Sequence, residues 1–170
     1  MARSNDLAFA RDVTARLAAA GVLTWVFGGW AEELLGLRPA RAHQDLDLLY
    51  PAADFTDADT FMASGSQVTE ITGKRFPHKR AFLDDGIMVE LLLVQSPSPG
   101  KYVTIFWGDT PHQWPHDVIS TTAGGLRVAS AASLRSYRAS HPRLRWSPTR
   151  QAGNQDLQQV QSTPGPGFDH

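Results

Sequence analysis

The sequence predicts an α/β (α+β) fold in which a mixed, twisted β-sheet is flanked by helices, mainly on one face. Apolar residues recur with helical spacing over residues 5–20. Runs with the alternation or the β-branched content of strands follow at 22–27 and 45–50. A hairpin pattern spans 78–94, with Asp-Asp-Gly at its turn. At 170 residues, the chain has the length of one domain with one hydrophobic core.

Local signals support these elements and predict the others. Gly21 follows the first helix as a C-terminal cap, and Ser130 caps a later helix. In chain order, the remaining predictions are a helix at 30–35, a helix at 56–63, a strand at 67–71, a loop at 95–100, an outer strand at 101–107, an irregular segment at 108–117, a strand at 126–129, a helix from 131 to about 140 that Pro142 stops, and a helix near 154–161.

Composition excludes several classes of protein. The formal net charge of −1 argues against a broad basic face, so we expect no nucleic-acid partner. The chain has no cysteine, which excludes disulfides and thiolate metal sites. Its first residues lack the apolar run of a signal peptide, and no segment approaches the roughly 20 apolar residues of a membrane span. We therefore expect a cytoplasmic protein with no membrane partner.

The segment between residues 25 and 50 carries the first candidate site, the dipeptide Gly28-Gly29. This dipeptide ends a strand that leads directly into a helix. Without Cβ atoms, these glycines let backbone N–H groups approach a ligand closely, and the start of the helix adds donors that favour phosphate. A plain tight turn is the alternative, because strand-Gly-Gly-helix also occurs without a ligand.

The second candidate site is Asp45-Leu46-Asp47. Residues i and i+2 of a strand point to the same side and lie roughly 6–7 Å apart. Two carboxylates at this spacing can hold one or two hard cations, and their oxygen atoms suit Mg²⁺. The alternative is a half-exposed strand that presents polar residues to solvent.

A third carboxylate, Glu90, lies in a strand that is otherwise apolar on both faces. A charge in such a strand is costly unless it has a partner. Metal coordination beside Asp45 and Asp47 would supply one. The alternative is an ion pair with one of three basic residues: Arg75, Lys79 or Arg80.

Two motifs in this part of the chain resemble those of a known family. Residues 28–31 read Gly-Gly-Trp-Ala, and residues 41–47 read Arg-Ala-His-Gln-Asp-Leu-Asp. The pattern resembles the nucleotidyltransferase superfamily of the DNA polymerase β type. Within it, the pattern is most similar to the small aminoglycoside 2″-nucleotidyltransferases and lincosamide nucleotidyltransferases. The match is close over residues 20–51 and looser to about residue 95.

The resemblance implies metal-dependent transfer of a nucleoside monophosphate, AMP from ATP, to a hydroxyl of an aminoglycoside- or lincosamide-like molecule. In such an enzyme, Asp45 and Asp47 bind two Mg²⁺ ions. Gly28 and Gly29 hold the β- and γ-phosphates. Glu90 takes the proton of the acceptor hydroxyl as general base, or shares a metal ion. Crowding beside the aspartates raises the expected pKa of Glu90, whereas a metal ion opposes that rise.

Two arginines of the connecting loop, Arg38 and Arg41, are candidates for bidentate pairing with phosphate oxygens. Exposed loop charge is the alternative for both. His43 is predicted to shape this loop rather than to react. All three belong to the segment that precedes Asp45.

The sequence leaves two classes of acceptor molecule open. A polycationic aminoglycoside needs an acidic pocket, and a lincosamide needs more apolar walls, which the aromatic segment 102–114 could supply. The candidate acids are Asp84, Asp85, Asp109 and Asp117. The candidate stacking residues, for which ordinary packing is the alternative, are Tyr102, Trp107 and Trp114.

We predict one nucleotidyltransferase-like domain over residues 1–162, with a core at about 5–95 and an acceptor-side segment at about 96–162. A flexible tail follows at 163–170. The expected partners are a nucleoside triphosphate and a small hydroxylated acceptor, and the chain is expected to be a monomer or a homodimer.

Two further hypotheses about the function stay open. One is a nucleotidyltransferase-like regulatory or antitoxin-type module that binds or modifies a protein, and the other is an α/β domain whose acids are merely solvated.

Overall fold

The structure of the protein is a computed structural model, which describes residues 2–65 and 67–145. The helix predicted near 154–161 and the tail at 163–170 lie outside the described residues. Within the described ranges, no helix combines the length and the apolarity that crossing a membrane requires.

The described part of the chain forms four helices and nine strands. In chain order they are α1 (Leu7–Ala19), β1 (Trp25–Phe27), α2 (Gly28–Leu34), β2 (Asp45–Pro51), α3 (Thr56–Ser64), β3 (Val68–Glu70), β4 (Lys79–Asp84), β5 (Ile87–Ser98), β6 (Lys101–Phe106), β7 (Thr110–Trp114), β8 (Thr121–Ala123), β9 (Leu126–Val128) and α4 (Ala131–Leu144). A short 3₁₀ helix, Thr72–Lys74, lies between β3 and β4.

The strands form one mixed sheet with the order β3-β4-β5-β2-β1-β9-β8. In this sheet β2 runs parallel to β5 and β1 runs parallel to β9, whereas the other neighbouring pairs are antiparallel. The far end of β5 also pairs with β6, and β6 pairs with β7. The mixed sheet and its flanking helices confirm the predicted fold class.

Apolar side chains of α1 and of the central strands form the core. On α1, Phe9, Val13 and Leu17 follow one another at helical spacing and are buried. On the sheet, Leu48 of β2 is the register partner of Leu91 of β5, and both are fully buried. Burial of each such side chain contributes roughly 1.5–3 kcal/mol. The core therefore fixes β2 and β5 side by side.

Two predictions for the segment after the hairpin are wrong. The loop predicted at 95–100 is mostly strand, because β5 continues to Ser98 and turns at Gly100 into β6. The segment predicted to be irregular at 108–117 contains β7. Pro111 cannot donate a hydrogen bond, but β7 pairs with β6 alone among the described strands, and an edge strand tolerates a proline.

Three boundaries also differ from the sequence prediction. β1 begins at Trp25 rather than at residue 22, and α2 begins at Gly28 rather than at residue 30. The stop predicted at Pro142 is wrong, because α4 ends at Leu144. A proline in the last turn removes one backbone hydrogen bond, whereas Leu144 gains burial in the core.

Candidate active site

The junction between β1 and α2 lies against the side chain of Asp47. Gly28 has a φ of +63°, in the left-handed region. A Cβ atom on Gly28 would lie 2.6 Å from Oδ2 of Asp47. Both the backbone conformation and this close approach require glycine at this position.

Gly29 meets the loop that precedes β2. A Cβ atom on Gly29 would lie 2.5 Å from Nη2 of Arg41 and 3.1 Å from Nδ1 of His43. The absence of a side chain at Gly29 thus lets the guanidinium of Arg41 lie directly over the backbone at the start of α2. The diglycine is therefore more than a plain tight turn, because each glycine makes room for a side chain of the site.

His43 shapes the loop, in agreement with the sequence prediction. Its ring stacks on Trp30, with 4.2 Å between the ring centroids. Its Nε2 lies 2.7 Å from Oε2 of Glu33 on α2, and the same carboxylate accepts a hydrogen bond from the backbone N–H of Arg41 at 3.3 Å. These contacts hold the loop to α2.

Asn5, which sequence reasoning missed, joins the same elements from the N-terminal side. Its side-chain amide donates to the backbone carbonyl groups of His43, at 3.1 Å, and Asp45, at 2.8 Å. Its Oδ1 accepts a hydrogen bond from the indole N–H of Trp30 at 3.1 Å. No local pattern around Asn5 indicates this role, since the contacts span 25 to 40 residues of sequence.

The three predicted carboxylates come together on two neighbouring strands. In the parallel pair of β2 and β5, Asp47 is the register partner of Glu90, and Asp45 is the partner of Met88. Asp45, Asp47 and Glu90 all line one cleft of about 570 Å³, here called the main cleft, together with Gly28. The carboxylates are therefore not simply solvated strand residues.

Burial and like charge act together on Asp47. Burial raises the pKa of its carboxyl group to about 7, and the negative charges of Asp45 and Glu90 contribute to the rise. Lys79 and Lys74 act in the opposite direction but do not offset these two effects. The carboxyl group of Asp47 thus lies in an environment that a nearby cation would stabilise.

Glu90 has partners of its own. Nζ of Lys74 lies 2.5 Å from one of its carboxylate oxygens, and Nζ of Lys79 lies 2.8 Å from the other. Burial raises the pKa of Glu90, but the hydrogen bonds and the positive charges of both lysines together outweigh this effect, so its pKa lies below the ordinary value. The crowding expected to raise the pKa of Glu90 therefore acts on Asp47 instead.

Lys79 was among the predicted ion-pair partners of Glu90, and the structure shows this contact. The other two candidates, Arg75 and Arg80, bind Asp59 instead. Lys74, at the end of the 3₁₀ helix, was missed.

The donor set suits a hard cation at the two aspartates. Among the residues that the structure describes, no group of three or more His, Asp or Glu side chains is arranged to hold a metal ion. Because lysines occupy both oxygens of Glu90, the carboxylates of Asp45 and Asp47 are the donors left for Mg²⁺, which prefers oxygen and commonly uses one or two carboxylates. A metal role for Glu90 requires the lysines to move.

The two candidate phosphate arginines line one cavity of about 290 Å³ but make different contacts. Arg41 lies against Gly29, whereas Arg38 is 54% exposed in its side chain and lies 3.6 Å from Glu32. A basic residue that sequence reasoning missed, Arg138 of α4, donates from Nε to the buried carboxylate of Glu32 at 2.6 Å. Arg41 and Arg138 line one cavity of about 370 Å³ together with both glycines.

Asp45 and Asp47 stand between two cavities of different chemistry. On one side is the main cleft. On the other is a cavity of about 380 Å³, here called the polar cavity, which Gly29 and Arg41 line and which Asp45 and Asp47 share. The aspartates thus reach both spaces from one strand.

The acceptor-side candidates are only partly in the main cleft. Trp107 lines it, whereas Trp114 packs against Phe27 at 5.6 Å between ring centroids. None of the four candidate acids lines the main cleft within the described residues. All four have partners elsewhere: Asp84 binds Arg16, Asp85 lies 3.6 Å from Arg3, Asp109 accepts from the hydroxyl of Thr110, and Asp117 accepts from Ser130.

A mixed sheet with adjacent carboxylates beside a diglycine turn agrees with the architecture of nucleotidyltransferases. The sequence profile of the aminoglycoside-2″-adenylyltransferase family matches residues 10–133. The chain therefore belongs to this family and is a nucleotidyltransferase of the adenylyltransferase type.

Two solved structures share the fold. The crystal structure of ANT(2″)-Ia in complex with adenylyl-2″-tobramycin is similar with a TM-score of 0.57 and 15% identity, over 86% of this chain and 83% of that chain. The lincomycin-bound crystal structure of the lincosamide antibiotic adenylyltransferase LnuA is similar with a TM-score of 0.64 and 12% identity, over 93% of this chain and 99% of that chain. No curated protein sequence matches the chain.

Proposed function

We propose that the protein transfers AMP from ATP to a hydroxyl of a small antibiotic-like molecule, with Mg²⁺ bound by Asp45 and Asp47. The observation that carries this proposal is the register of β2 and β5. This register pairs Asp47 with Glu90, and both residues line one cleft. Gly28 lies next to them and can approach Asp47 so closely only because it has no side chain.

The two cavities on either side of the aspartates suggest how the substrates are arranged. The polar cavity carries Gly29 and Arg41, which offer backbone N–H groups and a guanidinium to phosphate oxygens. The main cleft carries Glu90, the candidate base. We therefore assign the triphosphate to the polar cavity and the acceptor to the main cleft, so that the α-phosphate lies at the aspartates.

Each residue of the site then has its own role in the transfer. When bound, Mg²⁺ supplies positive charge that stabilises the triphosphate and the charge that develops on its oxygens. Asp45 and Asp47 position this charge, and Gly28 lets the backbone approach it. Arg41 orients the phosphates.

Glu90 completes the reaction by proton transfer. The acceptor oxygen forms a bond to the α-phosphorus, the bond to the bridging oxygen breaks, and pyrophosphate leaves. Glu90 takes the hydroxyl proton, which requires its carboxylate within hydrogen-bond reach of that hydroxyl. Its lowered pKa keeps the carboxylate ionised near neutral pH. Because a lower pKa also makes it a weaker base, its role as base rests on its position beside the hydroxyl.

Pyrophosphate release tests the proposal. The full chain with ATP, Mg²⁺ and a hydroxylated acceptor is expected to release pyrophosphate, and Asp45→Asn is expected to abolish the release while the fold is retained. Asp57→Asn, which removes an exposed first-turn carboxylate of α3, is the matched control and should retain it. Undiminished release by Asp45→Asn would overturn the proposal. Release with protein acceptors alone would favour the regulatory-module hypothesis instead.

A further inference from the structure

The main cleft is lined by basic as well as acidic side chains. Its acids, among the described residues, are Asp45, Asp47 and Glu90. Two of these are assigned to Mg²⁺ under the proposed function. The third, Glu90, has a lysine on each oxygen.

Basic side chains surround Glu90 and continue along the cleft. Lys79 lines the cleft, and Lys74, which is outside its described lining, holds the other oxygen of Glu90. The side chains of Lys74 and Lys79 are 39% and 26% exposed. Arg145, at the end of the described chain, is exposed and also lines the cleft. An acceptor with several ammonium groups would meet like charge here, which weakens binding.

The rest of the acceptor side is apolar and aromatic. Phe106 and Trp107 follow one another at the end of β6, and Leu92 and Leu144 lie beside them. Trp107 has a φ of +59°, which is strained for a residue other than glycine. Two hydrogen bonds hold it there, from its backbone N–H to Nδ1 of His78 at 3.1 Å and from its indole N–H to the carbonyl of Leu144 at 2.8 Å.

We propose, on the basis of the proposed function, that the acceptor is a hydroxylated molecule with an apolar body and at most one positive charge. Trp107 and Phe106 contact the apolar body, and Glu90 receives the hydroxyl. Lys74 and Lys79 discriminate against polycations, because each places a positive charge beside an oxygen of Glu90, and this charge repels an ammonium group of the acceptor but not an uncharged hydroxyl. The protein therefore departs in substrate charge from the polycationic aminoglycosides after which its family is named.

Calorimetry on the full chain tests this, with Mg²⁺ and a non-hydrolysable ATP analogue present. The probes are lincomycin, which has one basic amine, tobramycin, which is a polyamine, and fully N-acetylated tobramycin, which keeps the ring hydroxyls without the charge. We expect lincomycin to bind at least about tenfold more tightly than tobramycin, and N-acetylation to strengthen tobramycin binding.

Charge variants separate the lysines from the rest of the cleft. Lys74→Glu is expected to strengthen tobramycin binding about tenfold and to change lincomycin binding less than about threefold. Lys74→Gln should give an intermediate effect. Lys101→Glu, which reverses an exposed lysine that is neither in the described lining of the cleft nor among the described partners of Glu90, should change neither.

Three results would overturn the inference while leaving the proposed function intact. They are tighter binding of tobramycin than of lincomycin, weaker binding after N-acetylation, and no binding of any of the three probes to a chain that binds the Mg²⁺–nucleotide complex. Failure to bind the Mg²⁺–nucleotide complex itself would instead overturn the proposed function.

Discussion

Gly28 connects the backbone of β1 directly to the carboxylate of Asp47. Its left-handed φ excludes most side chains, and the 2.6 Å that would separate a Cβ atom on Gly28 from Oδ2 of Asp47 excludes even a methyl group. A substitution here therefore combines backbone strain with displacement of a proposed metal ligand. The two effects can be separated, because another glycine carries the strain alone.

Gly21 is that control. It also has a left-handed φ, +83°, but a Cβ on it would meet no described atom within 4 Å. We expect Gly21→Ala to lower the free energy of unfolding by about 1–2 kcal/mol and to keep pyrophosphate release. Gly28→Ala should cost more stability and reduce release on the order of 100-fold, because small displacements of reacting groups are costly. Urea unfolding and a pyrophosphate assay measure the two effects.

Equal losses of stability in the two variants, with release retained in Gly28→Ala, would show that the contact with Asp47 does not matter.

Among single residues, sequence reasoning reached the carboxylates but not all of their partners. Asp45, Asp47 and Glu90 stand out because each is a charge within an apolar strand. The contact of Lys79 with Glu90 was predictable from the hairpin, because β4 and β5 are adjacent in sequence and pair with each other. Lys74 could not be predicted in the same way, because it reaches Glu90 from a 3₁₀ helix whose placement depends on the packing of the whole sheet edge.

At the scale of elements, the loop before β2 and the helix α2 form one unit. His43 and Trp30 stack, Glu33 bonds to Arg41 and His43, and Asn5 bonds to the loop and to Trp30. This unit sets where β2 begins and hence where Asp45 lies. The histidine and tryptophan of the two sequence motifs therefore have a positional role.

We expect Asn5→Ala to lower the free energy of unfolding by about 1–3 kcal/mol, because it removes three hydrogen bonds. It should also reduce pyrophosphate release, since the backbone at Asp45 loses its support. Asp6→Ala is the matched control. It removes the N-cap of α1, whose side chain accepts from the N–H of Phe9 at 2.8 Å, and costs about 1 kcal/mol.

Pyrophosphate release should be unchanged in Asp6→Ala once the protein is folded. An Asn5→Ala variant that releases pyrophosphate as fast as Asp6→Ala at the same folded fraction would limit Asn5 to a structural role.

Most of the helices and strands were predictable from the sequence, and the predictions that failed did so for physical reasons. The periodicity of α1 and the alternation of β2 are strong local signals, and both elements lie where predicted. β7 escaped prediction because Pro111 and its neighbours resemble a loop, although an edge strand tolerates them. The parallel pairing of β2 with β5 is a long-range property that no local pattern determines.

At the scale of the whole molecule, α4 closes the site over the sheet. Tyr137 packs on Phe27 at 5.0 Å between ring centroids, and Arg138 bonds to Glu32 across 106 residues of sequence. The helix was predictable from its Ser130 cap, but these contacts were not. The charge around the cleft was not predictable either, because the four acids considered from the sequence lie outside its described lining, whereas Lys79 belongs to it.

The central claim is that Asp45 and Asp47 bind Mg²⁺ together with the triphosphate. Its most direct test is calorimetric titration of the full chain with a non-hydrolysable ATP analogue, in Mg²⁺ and in a chelator. We predict that Mg²⁺ strengthens binding at least about tenfold in the unmodified protein and in Asp57→Asn, and that Asp47→Asn loses most of this difference. Equal Mg²⁺-dependent binding by Asp47→Asn and the unmodified protein would contradict the claim.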